Sequence, residues 1–299
     1  MVNLLAYLLD MAVYVGLFSI LTLSLNLEYG FTGLMNFGKV AFFMIGAYVS
    51  ALITLSGAPY PVGLFGGMVA SGLAGLLMSM PALRLRGDYL AILLLVFGEA
   101  IRIVLKNEIW IAGGPFGLTG IPPALPFLKG GSEEMYLAIN VGIVWGVLLI
   151  LYALLEIMVN SPYGRVIRGI REDELATQSF GKNTFRYKAQ VFLIGSAIAG
   201  VAGSLYAQYV GYTATAMFMP IVTFTVWVMC ILGGVANNRG AILGVLIMKG
   251  LERGTRIAKD YMGVPIDPHN LMYILTGALM VLFLLYRPSG MLKEKPVKT

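Results

Sequence analysis

The sequence has little charge and few of the residue types on which soluble enzymes depend. Only 12% of its 299 residues are charged, whereas 58% are hydrophobic, and the mean hydropathy is +0.82. A soluble domain carries about a quarter charged residues, so this chain cannot cover a water-facing surface. The single cysteine, Cys230, excludes an internal disulfide framework, and the single histidine, His269, excludes His-cluster metal sites and most triad chemistry. We therefore expect a polytopic membrane protein that has no catalytic, cofactor-binding or metal-binding residues.

Nine apolar stretches approach the roughly 20 residues of helix that a bilayer core requires. The first lacks the positive flank of a cleaved signal peptide, so we expect it to be retained. Four charged residues from Lys249 to Arg256 interrupt the eighth, which leaves open whether it spans fully, tilts or lies at the interface. The fold class is all-α, a membrane helical bundle forming one domain over residues 1–299. The stretches are about Leu4–Leu25, Phe37–Ser56, Pro61–Met80, Tyr89–Leu105, Met135–Asn160, Ala189–Val210, Met219–Val235, Ala241–Ala258 and Asn270–Tyr286.

The distribution of basic residues predicts the orientation of the bundle. Net charge is +6, and in membrane proteins an excess of Lys and Arg marks the cytoplasmic loops. We predict the N-terminus outside and the C-terminus inside, because the opposite threading would place the densest basic loop outside. The cytoplasmic side then holds Lys39, Arg84, Arg86, Arg165, Arg168, Arg171, Lys182, Arg186, Lys188, Arg239, Arg287, Lys293, Lys295 and Lys298.

Small residues recur every four positions in the third and sixth stretches. Such a stripe lets a neighbouring helix backbone approach closely, which is how helices associate in lipid. We interpret both stripes as structural. They comprise Gly63, Gly67, Ser71 and Gly75 in the third stretch and Gly195, Ala199, Gly203 and Ala207 in the sixth.

The cytoplasmic loop at residues 161–188 is too long and too regular to be a simple turn. Ser161 and Pro162 suit a helix cap and first helical position, and an apolar stripe follows at helical spacing. The acidic run Glu172–Glu174 favours the start of a second helix, which Gly181 would end. We expect a helix pair at the membrane face. It contacts either lipid head groups or a partner protein, and the mixture of Arg171 with acidic neighbours favours the protein.

The extracytoplasmic loop at residues 107–134 is rich in glycine and proline. Its glycines do not follow a strand and lack the Lys-Ser/Thr ending of a phosphate-binding loop. We expect the loop to fold over a pore mouth or to meet an external partner. The printed sequence has no P-loop, so any ATP that drives this chain must be bound by another subunit.

Charged and amide side chains within or beside the spans mark a pathway or a neutralised structural pair. Helical spacing allows Glu99 to pair with Arg102 and Lys249 with Glu252. Asp10 has no such local partner, so we expect a hydrogen bond across helices. The candidate pathway or structural polar residues are Asn26, Asn36, Lys39, Glu99 and Arg102. The first three flank a glycine-rich connection that ends a helix or forms a broken helix beside a substrate site.

Several sequence runs spread over residues 16–290 are characteristic in combination. They are Leu25-Asn26-Leu27, Gly30-Phe31-Thr32-Gly33-Leu34, Asn36-Phe37-Gly38, Leu83-Arg84-Leu85-Arg86-Gly87-Asp88-Tyr89, Ile170-Arg171-Glu172-Asp173-Glu174 and Ile231-Leu232-Gly233-Gly234. Together they resemble permease subunits of branched-chain amino acid ABC importers, and the LivM type more than the LivH type.

This resemblance implies a non-enzymatic permease subunit in the inner or plasma membrane of a prokaryote. Its partners would be a second, LivH-type permease, two cytoplasmic ATPases that hold ATP and Mg, and an extracytoplasmic solute-binding protein. Leucine, isoleucine or valine would cross by alternating access. The cytoplasmic loop would be the ATPase coupling segment, with Arg165, Arg168, Arg171, Glu172, Asp173, Glu174, Ala176 and Gly181 as its residues.

A stand-alone secondary transporter remains the alternative. It would couple the movement of a small polar solute to an ion or proton at Asp10, Glu99 or Glu252. Uptake that persists without ATP but collapses with the ion gradient would favour it.

Overall fold

The computed structural model describes residues 4–85, 87–124, 133–262 and 290–294, together with residues 274, 277, 278, 281, 282, 285 and 286. The described chain is predominantly helical. Its α-helices are α1 (Leu4–Leu25), α2 (Lys39–Leu55), α3 (Tyr60–Ala82), α4 (Asp88–Asn107), α5 (Ile109–Ala112), α6 (Glu133–Asn160), α7 (Pro162–Glu172), α8 (Glu174–Ser179), α9 (Thr184–Val210), α10 (Pro220–Gly233) and α11 (Asn238–Met262). Two short strands, β1 (Leu118–Thr119) and β2 (Tyr212–Thr213), pair antiparallel.

Four of the described helices are long and apolar enough to cross a membrane: α1 with its C-terminal extension, α3, α6 and α9. The bent pair α10 and α11 adds a fifth span if the two helices together cross the membrane once. The second predicted span is α2, an apolar helix of 17 residues, and the fourth is α4, which carries four charged residues. Most of the ninth predicted span, residues 270–286, lies outside the described residues. The helical class is thus confirmed, while the count of nine and the orientation stay predictions.

The α2, α3 and α9 helices form the most closely packed part of the bundle. The Ser71 hydroxyl of α3 lies 2.8 Å from the Phe42 carbonyl oxygen and 2.7 Å from that of Ser196. A Cβ added at Gly200 in α9 would lie 2.7 Å from the Gly67 carbonyl oxygen. The predicted stripe of α3 therefore lies at this interface, with Gly75 against Ser196 of α9. The predicted stripe of α9 lies at another helix interface, with Gly203 against Phe43 of α2. Small residues allow the backbones to come this close.

We predict that Gly200→Leu destabilises the protein by about 1–3 kcal/mol or more, because the added side chain overpacks the interface between α3 and α9. Gly146→Leu is the matched control, since a Cβ at Gly146 in α6 meets nothing within 4 Å. Thermal unfolding in mild detergent measures both variants. Equal melting temperatures for the two would contradict the packing account.

Two interruptions in the helices meet inside the bundle. The first follows α1, which continues into a π-helical turn, Asn26–Gly30, before a non-helical connection leads to α2. The second separates α10 from α11, whose axes differ by 120°. There Gly234 and Ala236 have positive φ angles of 121° and 59°. The backbone hydrogen-bonding groups that such breaks expose must be satisfied inside the protein.

The loop at residues 161–188 contains the predicted helix pair, formed by α7 and α8. Ser161 and Pro162 occupy the cap and first positions of α7, although the Ser161 side chain donates backwards to the Met158 carbonyl. Asp173 caps α8 by accepting a hydrogen bond from the Ala176 amide at 3.0 Å. After this helix, Gly181 has a φ of 74°. Part of the glycine-rich loop at residues 107–134 also folds, as α5, a 3₁₀ turn (Gly114–Phe116) and β1, whereas residues 125–132 are outside the described part.

Candidate functional site

A buried ion pair lies at the interruption between α1 and α2. Lys39 Nζ lies 2.8 Å from Glu28 Oε1, and both side chains are fully buried. Asn36 donates to the other carboxylate oxygen, Glu28 Oε2, at 2.8 Å, and its own carbonyl accepts from the Trp227 indole at 3.2 Å. A buried charge pair is tolerated when its geometry is good and further hydrogen bonds reach the charged groups, as the bond from Asn36 does for Glu28. The break is therefore a fixed polar centre, and it contains two of the predicted polar residues, Asn36 and Lys39.

The third predicted residue of this group, Asn26, connects the first interruption to the second. Its side-chain oxygen accepts from the Ala236 amide at 2.9 Å, and its Nδ2 donates to Asn238 Oδ1 at 3.0 Å. Asn238 donates in turn to Glu156 Oε2 of α6 at 3.1 Å. One continuous set of hydrogen bonds thus links α1, the turn between α10 and α11, and α6.

The helix α7 contacts the first interruption through two arginines. The Arg171 guanidinium donates to the Gly30 carbonyl at the end of the π-helical turn and to Glu294 at 2.8 Å. Arg168 lies 3.3 Å from Glu294 and 5.2 Å from the centre of the Phe31 ring. Burial lowers the pKa of Arg168, an effect that Glu294 opposes.

The C-terminal segment that supplies Glu294 is anchored on the turn between α10 and α11. The Met291 and Leu292 amides donate to the Leu232 and Gly233 carbonyls, each at 3.0 Å. Asn237 Nδ2 donates to the Lys293 carbonyl at 2.8 Å. Thus α7 touches one interruption directly and the other through this segment.

The predicted coupling residues divide into an inward and an outward set. Arg168 and Arg171 point inward, while Glu174 binds Lys188 at the start of α9 at 2.7 Å. The remaining residues are exposed: Arg165, Glu172, Asp173, Ala176 and Gly181. All of these except Gly181 border a groove of about 460 Å³. Beside them, two apolar side chains that the sequence analysis overlooked are exposed, Leu175 at 64% and Phe180 at 84%.

Several other charged residues in the described part of the spans have partners. Arg102 binds Glu99 on α4, and Lys249 lies 2.7 Å from Glu252 on α11, so both predicted pairs are confirmed. Asp10 accepts from Tyr209 and binds Arg253, which confirms an interaction across helices. Glu99 lies beside the connection between α1 and α2, in a small cavity that Phe37, Gly38 and Val40 also line. Within the described residues, no group of three or more His, Cys, Asp and Glu side chains is arranged to hold a metal ion.

Glu28 is the central residue that the sequence analysis missed. It lies 11 positions before Lys39, so helical spacing does not relate the two. The sequence could have indicated the pair through charge, because Glu28 and Lys39 lie beside apolar stretches and each needs a partner of opposite charge there.

The comparisons with known proteins agree on one family. The model of the family "branched-chain amino acid transport system / permease component" matches residues 7–284. The chain is 32% identical to the probable branched-chain amino acid transport permease protein LivM of Methanocaldococcus jannaschii, covering 95% of this chain and 92% of that protein. It is 33% identical to Escherichia coli LivM, a high-affinity branched-chain amino acid transport system permease protein. That match covers 95% of this chain and 69% of the Escherichia coli protein. It is 27% identical to Escherichia coli LivH, a permease protein of the same type of system, and that match covers 94% of this chain and 92% of LivH. No solved structure matches the chain.

Proposed function

The chain belongs to the branched-chain amino acid transport permease family, as a LivM-type ABC permease, and from this premise we propose that it moves leucine, isoleucine or valine by ATP-driven alternating access. It is a multi-pass membrane protein with a transport rather than an enzymatic role. The LivM and LivH relatives indicate a system with separate permease subunits. The proposed partners are thus a LivH-type permease, two ATPases carrying ATP and Mg, and an extracytoplasmic solute-binding protein.

The proposed arrangement is one transmembrane domain of nine spans in a prokaryotic inner or plasma membrane. Its N-terminus lies outside and its C-terminus inside. This places α7 and α8 on the cytoplasmic side, together with the anchored C-terminal segment, and it places the 107–134 loop on the opposite side. The support is the excess of basic residues in the loops assigned to the cytoplasm.

The contact of Arg171 with the Gly30 carbonyl is the observation that carries the proposed mechanism. In this proposal, the exposed face of α7 and α8 rests on an ATPase, and the inward arginines transmit its movement to the interrupted helices. Interrupted helices are the segments at which a bundle can change its arrangement. The coupling residues Arg165, Glu172, Asp173, Ala176 and Gly181 would face the ATPase, whereas Arg168, Arg171 and Glu174 would face the bundle.

The test is uptake by the complete complex in proteoliposomes. We expect radiolabelled leucine to accumulate only when ATP is present inside and the binding protein outside. A stand-alone secondary transporter would instead take up solute without ATP and would stop when the ion gradient is removed. That alternative is not favoured, because two of its candidate carboxylates, Asp10 and Glu99, are bound to arginines. Gradient-driven, ATP-independent uptake would nevertheless contradict the importer proposal.

The exposed side chains Leu175 and Phe180 are proposed as anchors for the ATPase. Exposed apolar side chains amid charge are typical centres of protein interfaces, and a buried aromatic anchor contributes about 2 kcal/mol or more. We predict that Phe180→Ser lowers recovery of the ATPases with the tagged chain at least about tenfold. Phe116→Ser is the control, since Phe116 is equally exposed at 87% but lies in the other loop. Quantitative mass spectrometry of the purified complexes measures both, and undiminished recovery with Phe180→Ser would exclude this anchor.

A further inference from the structure

A cavity separate from the polar centre lies between α1, α9, α10 and α11. Its volume is about 380 Å³, within the range of sites that enclose small molecules. One wall is aromatic and apolar, with Phe43, Met217 and Ile221 among its residues. The other wall holds four charged side chains: Asp10, Lys249, Glu252 and Arg253.

The four charges form two ion pairs with aromatic rings around them. Lys249 Nζ lies 2.7 Å from Glu252 and 3.7 Å from the centre of the Phe18 ring. Arg253 binds Asp10, and its guanidinium carbon lies 5.6 Å from the centre of the Tyr14 ring. The two cations and two carboxylates cancel formally, so this wall has no net charge.

We infer that this cavity is a solute site for zwitterionic α-amino acids that have apolar side chains. The inference rests on the proposed function and adds the residues that select the solute. Lys249 and Arg253 bind the α-carboxylate, Asp10 and Glu252 bind the α-ammonium group, and the apolar wall receives the side chain. Phe18 and Tyr14 contribute their ring faces, which attract cations.

Charge balance is the reason for assigning a zwitterion. A solute that carries one carboxylate and one ammonium group can exchange partners with the two ion pairs without leaving any charge uncompensated. A solute with a net charge would add an unmatched ion to a low-dielectric site, at a large cost in free energy. A purely apolar solute would use only one wall. The cavity therefore discriminates against acidic and basic amino acids and against amides that lack the carboxylate.

The first experiment compares Lys249→Met with Lys106→Gln in the complete complex. Lys106 is an exposed cation on α4, outside the cavity. With saturating binding protein, we expect Lys249→Met to reduce leucine uptake at least about tenfold, because a partner of the carboxylate is lost. Uptake with Lys106→Gln should stay within about twofold of the unaltered complex. If the unaltered complex transports leucine and Lys249→Met matches it, the inferred site is wrong while the proposed function stands. If the unaltered complex transports none, the proposed function itself fails.

A second experiment tests the inferred solute site if the Lys249→Met chain does not assemble into the complex. Thr225 lines the cavity, whereas Ser56 is exposed at the end of α2, and the native Cys230 is fully buried. We expect millimolar leucine to slow maleimide labelling of Thr225→Cys severalfold and to leave Ser56→Cys unaffected. Lysine and glutamate should give no such protection. Labelling of Thr225→Cys at the same rate with and without leucine would overturn the inference.

Discussion

Glu28→Gln is expected to eliminate most of the folded chain from detergent extracts. The substitution removes the carboxylate that pairs with Lys39, whose side chain is fully buried. Breaking a buried ion pair by removing one partner costs about 3–5 kcal/mol. That is a large part of the roughly 5–15 kcal/mol by which a typical folded protein is stable. Fluorescence-detected size-exclusion chromatography after mild heating measures the remaining monodisperse protein.

The double variant Glu28→Gln with Lys39→Met separates the missing charge partner from the altered shape. Removing both charges leaves no uncompensated ion, so we expect most of the lost folded protein to return. Glu108→Gln is the control for loss of a carboxylate, because Glu108 accepts from the exposed Trp110 in the loop at residues 107–134. A Glu28→Gln protein that is as stable as the unaltered chain would show that the buried pair is not required for folding.

The sequence predicted the features that depend on local pattern. The spacing of apolar residues located α1, α3, α6 and α9, and small residues every fourth position indicated which helix faces meet. The helix pair in the loop at residues 161–188 followed from a serine cap, an acidic start and a glycine end. Each of these signals lies within a few turns of chain, which is why the printed sequence is sufficient for them.

Features that depend on distant parts of the chain were not predictable in the same way. Asp10 and Arg253 are separated by 243 positions, and their pairing follows only from the packing of α1 against α11. Likewise, the local sequence does not indicate the contacts of the two asparagines at the α10–α11 turn. In the structure, Asn237 caps the start of α11 through the Arg239 amide, and Asn238 binds Asn26. The inward position of Arg171 also required the fold, because its acceptor at Gly30 lies 141 positions away.

Arg171→Met is expected to reduce both leucine uptake and solute-stimulated ATP hydrolysis about a hundredfold. The guanidinium bonds to the Gly30 carbonyl, Glu172 and Glu294, and charge-assisted hydrogen bonds of this kind are worth about 1.5–3 kcal/mol each. The bonds to the Gly30 carbonyl and to Glu294 join α7 to the bundle. Losing both changes the equilibrium constant for a bundle movement that is coupled to α7 by a factor of about a hundred or more. Methionine keeps the length of the apolar stem, so packing beside Gly33 changes little.

Comparison with Phe180→Ser distinguishes transmission of movement from attachment of the ATPase. Arg171 faces the bundle, so the ATPases should still be recovered with Arg171→Met although transport is lost. With Phe180→Ser, recovery and transport should fall together. Arg186→Gln removes an exposed cation of the same loop at the start of α9 and should leave both measurements within about twofold, as is usual for exposed charges. Normal uptake by Arg171→Met would mean that movement reaches the bundle by another route. Loss of the ATPases in that variant would instead place Arg171 in the docking surface.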